Sequence, residues 1–194
     1  AGRPEKILIV SIDPATGIIR TIAGDGGRGY GGDGGPATSA FLLNPYGLCI
    51  DRNGCVIIAD SLNNRIRRVD DRGRIETIAG TGAASDLGDG GPARNAAINT
   101  PHAVACHPSG DLYVGDASGR IRVIDASERI RTVVGIGRQG WSGDGGPAAD
   151  ARIGTPSAIC FDPRGNLYFA DLTQHVIRKV DGNDTITTLA GTGS

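Results

Sequence analysis

The chain has 194 residues, a formal charge of −1, only 4% aromatic residues and 32 glycines. That length suits one large or two ordinary domains, and the near-neutral charge gives no overall electrostatic pull toward nucleic acid or an anionic membrane. No apolar run approaches the roughly 18 residues of a membrane span and no charged-then-apolar leader opens the chain, which starts at Ala1 and is expected to be a processed product or an excerpt of something longer.

Residues 6–12 form a β-branched run that ends at Asp13-Pro14-Ala15-Thr16-Gly17, and 18–23 form a second run, so a hairpin is predicted. A Gly-rich loop over 25–31 leads into Gly32-Asp33-Gly34-Gly35-Pro36-Ala37. The same six residues return at 88–93 and 143–148, 56 and 55 residues further on, which makes the chain a repeat array. Thr21-Ile22-Ala23-Gly24 keeps step, returning at 77–80, as Thr132-Val133-Val134-Gly135 and as Thr188-Leu189-Ala190-Gly191. Glycines at recurring offsets between apolar runs are turn chemistry, not low complexity.

After each hexamer, Pro36 and its equivalents stand where a helix takes its first residue. Ala37, Ala40 and Leu42 recur as Ala93, Ala96, Ile98 and as Ala148, Ala151, Ile153, so a helix of about a turn and a half with a small apolar face is expected. Pro45, Pro101 and Pro156 stop it. Two strands follow around an Asp/Pro/Gly turn: 46–50 with 55–59, 102–106 with 111–115, and 157–161 with 166–170. The first strand has a large face (Leu48 and Ile50; Val104 and Cys106; Ile159 and Phe161) and a small one (Gly47 and Cys49; Ala103 and Ala105; Ala158 and Cys160). That alternation suits sheets converging on an axis, and places this strand innermost. A second pair completes each repeat, as in 65–70 with 74–79.

Four strands per period with a long connection describe an all-β protein, a β-propeller of four-stranded antiparallel blades. Residues 1–24 supply the outer hairpin of one blade, and 25–80, 81–135 and 136–191 supply three complete repeats. These are expected to belong to a six-bladed ring or to an assembly, because open blade faces leave apolar surface and strand edges in water. Cover would come from further chain, or from copies associating as a ring or fibre.

Pro45-x-Gly47-Leu48-x-Ile50-Asp51-x-x-Gly54, then Ile58-Ala59-Asp60, then Asn63-Asn64-Arg65-Ile66, resembles the NHL repeat in a longer variant with a Thr-Ile-Ala-Gly end and a Gly-Asp-Gly-Gly-Pro-Ala linker. His107 departs from it where Asp51 and Asp162 stand in the other repeats, as do Gly115 in place of Ala and a shorter connection at Ala117-Ser118-Gly119. The resemblance implies a propeller serving as a binding platform or scaffold, with a minority of similar propellers being enzymes.

Several residues could carry chemistry. Asp60, Asp116 and Asp171 end the second strand and Arg67, Arg122 and Arg178 follow on the third. They read either as catalytic carboxylates or as local Asp/Arg contacts, and recurrence in every blade favours the contact. Asp33, Asp89 and Asp144 read as caps near the helix start, since a calcium loop needs about six oxygen ligands and each repeat offers one shared Asp. His102, His107 and His175 lack zinc spacing. Neither a metal nor a cofactor is expected. Cys49, Cys106 and Cys160 read as small buried groups, and Cys55 alone as exposed.

Tyr30 and Trp141 occupy equivalent linker positions, where an aromatic anchors a partner or, by preference, packs on its own blade. RNA binding would want a basic face with stacking aromatics, so nucleic acid is disfavoured. Asn183-Asp184-Thr185 is an N-glycosylation sequon, meaningful in a eukaryotic secretory protein.

The expected function is a non-enzymatic scaffold for protein partners, extracellular or at the cell surface. Its candidate contacts are Tyr46, His102, Asn63, Asn64, Ser118 and His175 on the face bearing the linker loops and second-to-third strand connections, with Tyr30 and Trp141. Self-assembly through open blades is the first alternative. The second is a propeller hydrolase or lyase whose site lies in unseen blades; Tyr46, His102 and Ser157, at the channel mouth, are not acidic.

Overall fold

The computed structural model describes residues 6–193; the first five residues of the 1–24 segment and Ser194 lie outside the described residues. A two-stranded sheet pairs β1 (Ile9–Ile12) with β2 (Ile19–Ala23). Three four-stranded antiparallel sheets follow. The first runs β3 (Pro45–Ile50), β4 (Val56–Asp60), β5 (Arg65–Val69) and β6 (Ile75–Ala79). The second runs β7 (Pro101–Cys106), β8 (Leu112–Asp116), β9 (Arg120–Ile124) and β10 (Ile130–Val134), and the third β11 (Pro156–Phe161), β12 (Leu167–Asp171), β13 (Val176–Val180) and β14 (Ile186–Ala190). Strands are in sequence order within each sheet, which is the meander of a propeller blade.

Blades meet chiefly through their first strands, β3 against β7 and β7 against β11. The alternation of large and small side chains explains the approach. A Cβ at Gly47 would sit 2.6 Å from the carbonyl oxygen of His102 and 3.1 Å from the Cα of Ala103, so the small face of one innermost strand lies on the next blade. The large faces look back toward the preceding blade. Val104 is therefore buried, whereas Leu48 and Ile50, with no innermost strand before them, are exposed.

Three cores fill the spaces between consecutive sheets. One joins Ile9, Ala23, Ala37, Ala40 and Leu42 to Ile58, Val69 and Ile75; the second joins Ile57, Ile66 and Ala79 to Ala93, Ile98, Val104 and Val114; the third joins Ile121 and Val134 to Ala148, Ile153 and Phe169. Each linker thus contributes its apolar residues to the gap between two blades.

The predicted helix is a single 3-10 turn in every repeat: Ala37–Ser39, Ala93–Asn95 and Ala148–Asp150. The chain leaves the turn extended at Ala40, Ala96 and Ala151, whose amides close the single turn by donating to Ala37 O, Ala93 O and Ala148 O, and the apolar residues are still fully buried. Three residues cannot offset helix nucleation, so packing decides the conformation.

The linker works as a clip between outer strands. Gly24 N–H bonds Ala37 O at 2.9 Å and Asp25 N–H bonds Ala40 O at 3.1 Å, tying the start of the linker to its own return. At the far end of β6, Gly34 N–H donates to Ile75 O and Ile75 N–H to Gly35 O (2.7 and 3.1 Å), with the same pair of bonds at Ile130 and Ile186. The glycine that ends each Thr-Ile-Ala-Gly segment is required twice over. Gly24, Gly80, Gly135 and Gly191 have φ of +93°, +95°, +89° and +92°, and a Cβ on any of them would lie 2.2–2.5 Å from a backbone oxygen.

Candidate functional site

A fully buried guanidinium group organises the edge of each complete blade: Arg67, Arg122 and Arg178. Arg67 donates to Asp33 Oδ1 at 2.6 Å, Asp60 Oδ2 at 3.1 Å and Gly31 O at 3.1 Å. Arg122 donates to Asp89 Oδ1 at 2.8 Å and Ala97 O at 2.7 Å, and Arg178 to Asp144 Oδ1 at 2.6 Å, Arg152 O at 2.9 Å and Ser142 O at 3.0 Å. Each arginine therefore fastens the hexamer to the third strand. A register shift at the outer pair, between Ile66 and Arg67 and between Ile177 and Arg178, re-aims the strand there.

Two sequence expectations need correction. The hexamer aspartates do not cap a helix, since the 3-10 turns carry no side-chain cap bond. They pair with the arginines, and Asp89 and Asp144 also accept the amides of Thr132 and Thr188, both at 2.9 Å. The proposed contact between the second-strand Asp and the Arg forms an ion pair only as Asp60–Arg67; among the described residues Asp116 and Asp171 have none with Arg122 and Arg178. Asp171 accepts the Gly154 amide at 2.6 Å instead. Asp116 accepts the amide of Ser118 at 3.0 Å, and its Oδ2 has no partner.

The electrostatics follow. Burial raises the pKa of Asp60 and Asp171, and it pushes Asp116 up to about 6 against weaker help from Ser118 and Arg122. Burial also acts on Asp33, Asp89 and Asp144, but hydrogen bonds and the facing arginine outweigh it and hold these carboxyls below the usual range.

The candidate contact residues divide by what their side chains touch. Tyr46 is 55% exposed, with its ring 4.9 Å from that of His102, whose Nδ1 is 2.9 Å from Thr100 O. His175 is also exposed. Asn63 is buried and donates to Asp60 Oδ2 and Gly29 O at 2.8 and 2.6 Å; Asn64 donates to Gly82 O and accepts the Thr100 amide; Ser118 is tied to Asp116. Tyr30 donates to Asp33 Oδ2 at 3.0 Å under the Arg65 guanidinium, 3.7 Å from the ring centroid, and Trp141 Nε1 donates to Thr188 Oγ1 at 2.9 Å. Both rings lie against their own outer strands while remaining partly exposed. Asn183 of the sequon is exposed in its turn.

His107 takes over the turn role of Asp51 and Asp162. Its Nδ1 is 3.1 Å from the donating Ser109 amide, as Asp51 Oδ1 is 2.8 Å from that of Asn53. The cysteines sort otherwise than expected: Cys160 is exposed, on the small face of the last innermost strand, and Cys49, Cys55 and Cys106 are half-buried. Among the described residues no group of three or more His, Cys, Asp or Glu could hold a metal, and no helix is long and apolar enough to cross a membrane. Sequence reading missed the long-range pairing of Asp33 with Arg67 and a contact between Cys49 and Cys106. For the first, the joint recurrence of Asp and Arg in all three repeats was the available signal.

Comparison with known proteins agrees with the repeat pattern. The family described as the Teneurin NHL domain matches residues 16–86. The chain is 30% identical to teneurin-3 of Danio rerio across 98% of its own length, yet spans only 7% of that protein. Among solved structures, a structural-genomics protein of unknown function from Bacteroides thetaiotaomicron superposes with a TM-score of 0.69 at 20% identity, over 89% of this chain and 41% of that one. Virginiamycin B lyase of Staphylococcus aureus superposes at 0.53 and 19% identity, over 93% of this chain and 47% of that one. Identities this low carry the fold and nothing about activity. The repeats of this chain are NHL repeats, built as β-propeller blades and similar to those of the teneurin NHL domain.

Proposed function

We propose that this chain is the partner-binding part of a non-enzymatic scaffold, extracellular or at a cell surface, that recognises protein through the end of the blades where the innermost strands begin. The observation that carries this reading is the exposed Tyr46 ring set at a tilt against the His102 ring, with His175 exposed on the connection of the third blade. An aromatic with a polar neighbour on a rigid strand is the kind of anchor that interfaces use. Similarity to the teneurin NHL domain supports it. The recurring arginines and the hexamer aspartates are occupied in holding linkers to strands, and Asp60, Asp116 and Asp171 are buried.

The test is capture of protein partners by the chain within its native flanking sequence, followed by Tyr46→Ala and His102→Ala. Loss of capture by roughly tenfold or more is expected of an anchor, with no loss from changing Asn183 at the opposite end. Capture indifferent to both substitutions, or turnover of a lactone or other small substrate by the intact protein, overturns the reading.

A second reading, self-assembly, has its own observation. Val10, Ile12, Ile19, Leu48 and Ile50 at one end and Ile177 and Leu189 at the other are exposed apolar residues on sheets. In this reading copies cover them. Light scattering of the chain separates the two: concentration-dependent, salt-insensitive growth supports assembly, and a monodisperse small particle refutes it.

A further inference from the structure

The contact between Cys49 and Cys106 has no counterpart among the described residues. Cys49 lies on the small face of β3 and Cys106 on the large face of β7, so the blade geometry that sets Gly47 against Ala103 also sets these two side chains against each other. Their sulfurs are 3.0 Å apart, nearer than two sulfurs in simple van der Waals contact, although 57 residues separate them in sequence. At the next interface the same two places are Ala105 and Phe161, a small and a large apolar group. Cysteine thus stands in both halves of one interface and in neither half of the other.

Both residues border open space. Cys49 and Cys106 border a concavity of about 490 Å³ on the channel side, where the three innermost strands converge, and neither is fully buried. The two thiols do not titrate alike. The hydrogen bond the two thiols share lowers the pKa of Cys106, while that bond and burial raise that of Cys49. Deprotonation therefore begins at Cys106, and the thiolate is the nucleophile in disulfide exchange.

We propose that Cys49 and Cys106 are a redox pair that closes into a disulfide across the first and second complete blades, by exchange with a small-molecule disulfide entering from the channel side. The Cys106 thiolate attacks one sulfur of oxidised glutathione, forming a mixed disulfide and releasing one glutathione thiolate. Cys49 then loses its proton and attacks the Cys106 sulfur, releasing the second thiolate. Two electrons and two protons pass from the cysteine pair to the glutathione, which leaves as two thiols. The product locks two blades that otherwise hold by packing and by the linker clip.

The experiment uses the whole chain, fully reduced, freed of reductant and exposed to oxidised glutathione, then alkylated and digested without reduction. Of the four thiols, two should lose alkylation, the protein should be two hydrogens lighter with no glutathione retained, and mass spectrometry should find Cys49 and Cys106 in one linked peptide. Closure should be roughly tenfold or more faster in the folded protein than in denaturant, because the fold holds the pair together. Cys106→Ser should abolish the link, and Cys160→Ser should leave it intact. Four alkylatable thiols after oxidation, stable glutathione adducts on both residues without a link, or a link to Cys160 in its place each overturn the proposal. Mapping of the unsubstituted protein decides the matter even where Cys106→Ser fails to fold.

Discussion

Asp116 offers a quantitative handle on the fold, because this buried carboxyl lacks the ion pair that Asp60 makes and bonds Ser118 through one oxygen only, leaving Oδ2 without a partner. Burial raises its pKa from 3.8 to about 6. A carboxyl whose pKa is higher in the folded state binds its proton more tightly there, so its contribution to stability is present below the unfolded value and is lost as pH rises through the folded one. At 1.36 kcal/mol per unit the whole gap is worth about 3 kcal/mol, of which about 2.4 is lost between pH 4 and pH 7, because at pH 4 the unfolded carboxyl is already more than half ionised. Other groups slope the opposite way: Asp33, Asp89 and Asp144, held low, lend stability above the ordinary carboxylate range and lose it as pH falls. Asp116→Asn removes the one titration and retains a side-chain oxygen for Ser118. Urea unfolding of both proteins from pH 4 to pH 8 isolates the term as a difference. The variant should gain on the parent by about 2.4 kcal/mol across that interval, with most of the change between pH 4 and pH 6. A difference that stays flat, or one that falls, refutes the buried, unpaired carboxyl.

Arg122→Met should destabilise by about 2–3 kcal/mol in the same assay, because it leaves the buried Ala97 carbonyl without its charged donor and releases the part-exposed Asp89 from the strand; Arg122→Lys, lacking the planar fork, should recover only part. Gly80→Ala and Gly54→Ala share a positive φ but not a neighbour: a Cβ at 80 meets Asn64 O at 2.3 Å, and at 54 it meets nothing within 4 Å. Gly54→Ala should cost about 1 kcal/mol of backbone strain, and Gly80→Ala clearly more, read as the shift in urea midpoint. Trp141→Phe should cost about 1 kcal/mol through loss of the bond to Thr188, measured by circular dichroism since the chain has a single Trp.

The architecture was legible because it is written three times. Strand alternation at Leu48, Ile50 and their equivalents, punctuated by turns at Asp51 and His107, reports blade geometry through local chemistry alone. The short helix was misread because Ala and Leu at helical spacing look alike whether they line a helix or an extended segment entering a core; here Ala37, Ala40 and Leu42 are buried by two sheets and make only one 3-10 turn. Asp33 was misassigned for a related reason. Its partner Arg67 lies 34 positions away, and no local rule pairs residues across that distance. Cys160 is exposed because of its blade's position at the end of the row, which side-chain type could not reveal.

The account stands on adjacent blades meeting through their innermost strands. Nuclear Overhauser contacts measure this directly: the α-protons of Gly47 and Ala103, and those of Gly115 with the Pro156 ring, should give strong cross-peaks, since added side-chain atoms at those glycines would collide with these neighbours at 3.1 and 2.7 Å. Absence of both contacts, with β6 found instead paired to β7 in one continuous sheet, would contradict it.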